Sequence, residues 1–202
     1  MTKILALDAQ GTPRAWIPLN KAISYHATDS IAWEYGDEEF VYRGGYQSGK
    51  QSMIYTKSII AVKSEGDFAL AKLKREVVLS NKTLFGRDQC MCAYCGRTFH
   101  PKKLSRDHIV PRSRGGQDIW TNVVTSCLDC NCSKDDMLLK ECNMHLLYLP
   151  YVPSFAEKLL LEGHNILFDQ MEFLKGRLPK HSRVFGFGGS SQSAIESLHY
   201  HQ

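Results

Sequence analysis

Apolar and polar positions divide the chain into runs that predict its elements. Ile4–Ala9 and Ala15–Leu19 are apolar runs split by the turn residues Gln10-Gly11-Thr12-Pro13, and they predict two strands. Asn20 is a candidate cap for a short helix ending near Thr28. Ile31–Tyr35 and Phe40–Tyr42 alternate as a hairpin would around Gly36-Asp37. Gly44–Gln51 is polar and glycine-bearing, so it predicts a loop. Met53–Val62 is β-branched and apolar, which predicts a further strand. Ala69–Val78 suits a helix by composition, although Val77-Val78-Leu79 could equally open a strand. Beyond residue 143, Ser154 followed by Glu157 opens a predicted helix to Leu161, stopped by Gly163. A second helix is predicted over Asn165–Lys175, with Ile166, Leu167, Met171 and Leu174 at helical spacing. The glycine- and serine-rich residues from Arg183 onward predict a flexible tail.

Composition narrows the class. The chain has 202 residues, 43% of them hydrophobic and 23% charged, which predicts a folded protein and excludes wholesale disorder. The net charge of +4 permits a nucleic-acid partner without requiring one. The short apolar run at the start is interrupted by Asp8, so no signal peptide is expected, and no stretch is long enough for a transmembrane helix. A cytoplasmic location follows as the expectation. There, seven clustered cysteines suggest metal before disulfides.

Two CxxC pairs carry the strongest signal. Cys92-Ala-Tyr-Cys95 is followed some thirty residues later by Cys127-Leu-Asp-Cys130. Each pair makes a tight turn that can aim two thiolates at one tetrahedral ion, and four thiolates close a structural zinc site. Cys90 and Cys132 lie two residues from proposed ligands and could substitute, but the Cys90 to Cys95 spacing is looser. Both, with Cys142, are read as non-ligands. Between the pairs, Leu104–Ile109 predicts a short strand ending on Asp107-His108. Gly115-Gly116 marks an open loop, Asn122 precedes a strand at Val123-Val124, and a helix begins near Cys130-Asn131.

This segment resembles the HNH endonuclease family. The resemblance rests on the CxxC pairs, Asp107-His-Ile-Val-Pro111, the Arg114-Gly-Gly116 loop, Trp120-Thr-Asn-Val-Val124 and Cys127-x-x-Cys-Asn-x-x-Lys134, and it covers about a quarter of the chain. Residues 122–134 also align without a gap to the HNH domain of CRISPR effector nucleases, which lacks these cysteines. The resemblance implies an α+β fold: a zinc-stapled ββα-metal core, here with a strand-rich N-terminal region and C-terminal helices. It implies a metal-dependent endonuclease acting on DNA, with double-stranded DNA as the expected substrate. His108 would be the general base, and Asp107 and Asn131 would hold a catalytic Mg²⁺ or Mn²⁺. Asn122 would order the loop that positions His108. Many members carry His where this chain has Asn131, and an amide should disfavour softer ions there.

Basic residues gather around the segment: Lys82, Arg87, Arg97, Lys102, Lys103, Arg106, Arg112, Arg114 and Lys134. Such a cluster can neutralise phosphates. Arg106, Arg112, Arg114 and Lys134 are the expected DNA contacts, with Lys134 facing the scissile strand. Residues 1–81 would form the strand-rich N-terminal region, a candidate DNA-binding or homodimer-forming part. Residues 82–142 would be the nuclease core, 143–182 the C-terminal helices and 183–202 the tail. The competing reading is a non-catalytic zinc module that binds nucleic acid; it needs the four cysteines but not Asp107, His108 and Asn131.

Overall fold

The computed structural model describes residues 3–47, 49–63, 76–163 and 165–184. The predicted helix residues 69–75, His164 and the tail from residue 185 lie outside the described residues. The chain is mixed α+β and forms two compact units. Among the described residues, one unit takes those up to 63 with 162–178, and the other takes 76–161 with 179–184.

The first unit is a four-stranded sheet in the order β2-β1-β4-β3, built from β1 (Lys3–Asp8), β2 (Pro13–Pro18), β3 (Ile31–Gln47) and β4 (Lys50–Val62). β1 pairs antiparallel with β2 and parallel with β4, with Leu5 opposite Trp16 and Ile59. The unbroken run Ile4–Leu7 follows from this central position, because both faces of β1 are covered. Ile4 and Ala6 join Ile17, Ile60, Val62, Ala22 and Tyr25 in one cluster, the last two from helix α1 (Leu19–Ala27). Within the same unit, helix α5 (Phe168–Lys175) donates from Gln170 Nε2 to the carbonyls of Lys3 and Ser58.

Three local expectations are corrected here. Helix α1 starts one residue before Asn20, whose carboxamide accepts only from the neighbouring Lys21 N–H, and no side chain caps the helix. Gly36-Asp37 is not a hairpin turn. β3 runs through it, with the register against β4 shifting between Tyr35 and Glu39. Gly36 sits at φ +114°, and a Cβ there would come within 2.2 Å of Ser58 Oγ and 2.3 Å of Asp169 Oδ2. The glycine marks a bulge. Most of the predicted loop 44–51 is likewise strand, with Gln47 paired opposite Lys50.

The second unit begins at helix α2 (Asn81–Arg87), which Ser80 and Thr83 close with a reciprocal capping box. A short antiparallel sheet follows, β5 (Leu104–His108) against β6 (Val123–Cys127), and then helix α3 (Leu128–Lys134). This is the expected strand-loop-strand-helix order. Helix α4 (Phe155–Glu162) is opened as predicted by Ser154 and Glu157, each accepting the other's backbone N–H. The unit's apolar core includes two small clusters, one of Val77, Leu84, Phe85, Leu104, Trp120 and Val123 with Cys90, the other of Ala93, Val124 and Tyr148. Among the described residues, no helix is long and apolar enough to cross a membrane.

Candidate active site

The four predicted thiols come together. One ligand sulfur from each of Cys92, Cys95, Cys127 and Cys130 lies within 4.8 Å of the others. Four sulfurs bound to one tetrahedral zinc would be about 3.8 Å apart, so the cluster fits a structural zinc. The first knuckle turns at Gly96, φ +73°, where its N–H reaches the Cys92 carbonyl at 3.0 Å. The second lies across the start of α3, with Cys127 preceding the helix and Cys130 in its first turn. Burial raises the Cys92 thiol, but N–H groups from Cys95, Cys127 and Tyr94 outweigh it and bring the group down to about 7. The three other cysteines stay outside the cluster. Cys90 is buried in the apolar core, where burial and nearby Asp88 push its thiol up to about 11. Cys132 is exposed, and Cys142 Sγ donates to the Leu138 carbonyl at 3.4 Å.

Strand β5 distributes the candidate chemistry over two faces, because successive side chains alternate. Ser105 and Asp107 face α3. Asn131 Nδ2 donates to Ser105 Oγ at 3.0 Å, two positions along the strand from Asp107. One turn further along α3, Lys134 Nζ donates to Asp107 Oδ1 at 3.1 Å and to the His108 carbonyl at 2.8 Å. Tyr94, inside the first CxxC turn, donates its hydroxyl to Asp107 Oδ2. Burial and then Asp107 raise the Tyr94 hydroxyl well above the ordinary tyrosine range, so it remains a donor. Asp107 is thus 5% exposed and gripped on one oxygen by the cysteine knuckle and on the other by α3.

Arg106 and His108 point to the opposite face. His108 Nε2 lies 2.9 Å from Asp118 Oδ1, and Arg106 Nη1 reaches the same carboxylate at 2.7 and 2.9 Å. Arg106, and after it His108, holds the Asp118 carboxyl below the ordinary carboxylate range. Asn122 clamps the connecting loop. Its Oδ1 accepts from Val110 N at 3.0 Å, and its Nδ2 donates to the carbonyls of Val110 at 3.1 Å and Gln117 at 2.9 Å. Gly116 is required in that loop, because a Cβ there would fall 1.7 Å from the Val110 carbonyl oxygen. Trp120 plugs the base of the loop, its Nε1 donating to the Val77 carbonyl at 2.9 Å.

The basic cluster separates into three groups. Lys134 was expected to face a DNA strand, but it is fully buried, and so is Arg87. Each instead serves a buried carboxylate, Asp107 and Asp88 respectively. Arg106 is engaged by Asp118 and by Asn81 Oδ1 at 3.2 Å. Arg112 and Arg114 are exposed on a 3₁₀ turn after His108, Arg114 bridging to Glu141 at 2.7 Å.

Two residues escaped the sequence reading. Tyr94 occupies a spacer position of a CxxC pair, where only the folded knuckle reveals its partner. Asp118 reads as one acid ending a basic run, and only the loop's path brings it to His108. The comparison with family models matches residues 92–147 to HNH endonuclease. No curated protein matches the chain. The residues from Cys92 to Leu147, with their four clustered thiols and ββα order, thus match the HNH endonuclease family over that segment.

Proposed function

We propose that the protein is a metal-dependent endonuclease that hydrolyses phosphodiester bonds in double-stranded DNA. One observation carries the reading: within the segment that matches the HNH family, β5 presents a carboxylate toward the Asn131 helix and an imidazole on its opposite face. A bland zinc module needs neither.

His108 takes the proton from the attacking water, a role for which a neutral imidazole offers a free nitrogen lone pair. Asp107 and Asn131 are the residues that would hold the divalent ion. Their oxygens are hard donors suited to Mg²⁺ or Mn²⁺, and with Nδ2 given to Ser105 the amide oxygen is the atom Asn131 would offer. Held there, a divalent ion would supply charge neutralisation to the reacting phosphodiester. Asn122 holds both ends of the loop that follows His108 and so keeps the base in place. Arg112 and Arg114 offer exposed charge for backbone phosphates, whereas Arg106, also a candidate contact by sequence, is held by Asp118 and Asn81. Lys134 acts from inside the domain, by holding Asp107.

The test is plasmid cleavage with Mg²⁺ and Mn²⁺. Wild-type protein should nick or linearise DNA. His108→Ala should lose about 10²- to 10⁴-fold in rate while keeping zinc content and DNA binding. Absence of cleavage by wild-type protein in either metal, or an unchanged rate in His108→Ala, leaves the zinc-module reading standing.

A further inference from the structure

We infer that Asp118 is a positioning residue for His108, fixing which imidazole nitrogen is free to accept the proton of the attacking water. The inference rests on His108 being the general base, and its test is built to separate the two.

Asp118 lies in the loop between β5 and β6, ten positions after His108, outside the two CxxC turns and the Asp107–Asn131 seam. Three contacts place its carboxylate. Arg106, two residues before His108 on the same strand face, donates to both its oxygens, and His108 Nε2 meets Oδ1 at 2.9 Å. The loop itself is pinned by the Asn122 clamp and by the close packing of Gly116 on Val110. An ionised carboxylate has no proton to give, so Nε2 must carry the hydrogen in this bond. In a neutral imidazole that leaves the lone pair on Nδ1. The arrangement is a nitrogen acceptor oriented by a carboxylate, itself oriented by a guanidinium.

The chemistry then balances without a further reactant. A water O–H proton moves to Nδ1 and its electron pair stays on oxygen. That oxygen bonds to phosphorus, and the P–O3′ pair leaves on the 3′-oxygen, which takes a proton from solvent. The imidazolium formed at His108 faces the Asp118 carboxylate and is stabilised by it. The competing account makes Asp118 an anchor for Arg106 alone. Its side chain is 44% exposed, and an exposed pair of that kind contributes little to stability. A purely structural Asp118 should therefore be nearly silent.

The experiment compares Asp118→Asn and Asp118→Glu with wild type, using zinc-loaded full-length protein and Mg²⁺. An asparagine can donate to Nε2, which favours the wrong tautomer. Asp118→Asn should lower kcat about 10- to 100-fold with KM little changed, and Asp118→Glu should recover part of the loss. Combined with His108→Ala, Asp118→Asn should cause no additional loss. The ¹⁵N resonances of the His108 ring supply a readout independent of cleavage: Nδ1 should be the unprotonated nitrogen in wild type and should lose that signature in Asp118→Asn. An unchanged ring spectrum in Asp118→Asn overturns the inference, and so does a loss that adds to that of His108→Ala. If wild-type protein does not cleave, the nuclease reading fails, while the ring spectrum still decides whether Asp118 sets the tautomer.

Discussion

The two compact units are held together by opposite means. The N-terminal unit buries aliphatic side chains on both faces of β1 and β4: Ile4, Leu5, Leu7, Ile59 and Ile60 are each at most 1% exposed. In the cysteine-rich unit, Arg87 and Lys134 are the bulkiest of the fully buried side chains, and four thiols replace much of an apolar centre. Apolar burial is non-directional and tolerates slippage. Ion pairs and metal thiolates are directional and fix positions, at a cost in desolvation. The unit that must hold a carboxylate, an amide and an imidazole in register is the one built from directional contacts. A site needs its supporting groups held to within a fraction of an ångström.

Removal of zinc should break the contrast most severely. Structural zinc contributes on the order of 10 kcal/mol or more to small domains that depend on it. With a strong chelator, peptides from 76–161 should lose protection in hydrogen exchange before peptides from 3–63 do. Cys127→Ser should reproduce that pattern without chelator. Retention of full protection in 76–161 after zinc removal would show that the thiols are not what holds this unit.

Next in size is the Arg87 hub. All five guanidinium N–H groups are engaged. Nε and Nη2 meet Asp88 at 2.8 and 3.0 Å, Nη1 meets the carbonyls of Trp120 and Tyr151 at 3.0 Å each, and Nη2 meets Val123 O at 3.0 Å. Asp88 in turn accepts the Thr125 N–H at 3.0 Å. Arg87→Met should cost about 3–5 kcal/mol, because it strands a buried carboxylate and three carbonyls. The counterpart in the N-terminal unit, Ile60→Ala, should cost about 2–5 kcal/mol through an apolar cavity. Urea denaturation of each variant checks both, and an Arg87→Met midpoint near wild type would sink the claim that ionic contacts organise this unit.

The same difference explains what could be read from the sequence. Continuous apolar and β-branched runs placed β1, β2 and β4, because aliphatic burial leaves a local trace. Cys92, Cys95, Cys127 and Cys130 were legible because metal geometry enforces spacing. The ββα order around Asp107, His108, Asn122 and Asn131 was legible through the family resemblance. Arg87 and Lys134 were misplaced because a basic residue in a basic stretch looks solvated until its partner is known, and Asp88 and Asp107 become partners only after folding. Gly36 was read as a turn because a positive-φ bulge and a hairpin corner use the same residue. Asp118 left no local signal, since a long loop delivers it to His108.

The smallest expected effect concerns acid. Zinc thiolates must be deprotonated, so lowering pH releases the ion and should unfold the cysteine-rich unit. The N-terminal unit has a milder sensitivity at Asp8, whose carboxylate accepts the Thr12 N–H at 2.8 Å and pairs with Arg14. Burial raises the Asp8 carboxyl, but the Thr12 N–H and the Arg14 guanidinium together bring it below its ordinary value. A depressed folded-state value means that its stabilisation is present above the unfolded value of about 3.9 and fades as pH falls through the lower folded value. Asp8→Asn should therefore cost about 1 kcal/mol near neutrality and nothing once the wild-type group is protonated. Exchange protection of peptides covering β1 and β2, followed from pH 6 down to about 2 in both proteins, should show the two curves converging at the acid end. A difference that stayed constant with pH would mean that Asp8 acts through packing and not through its charge.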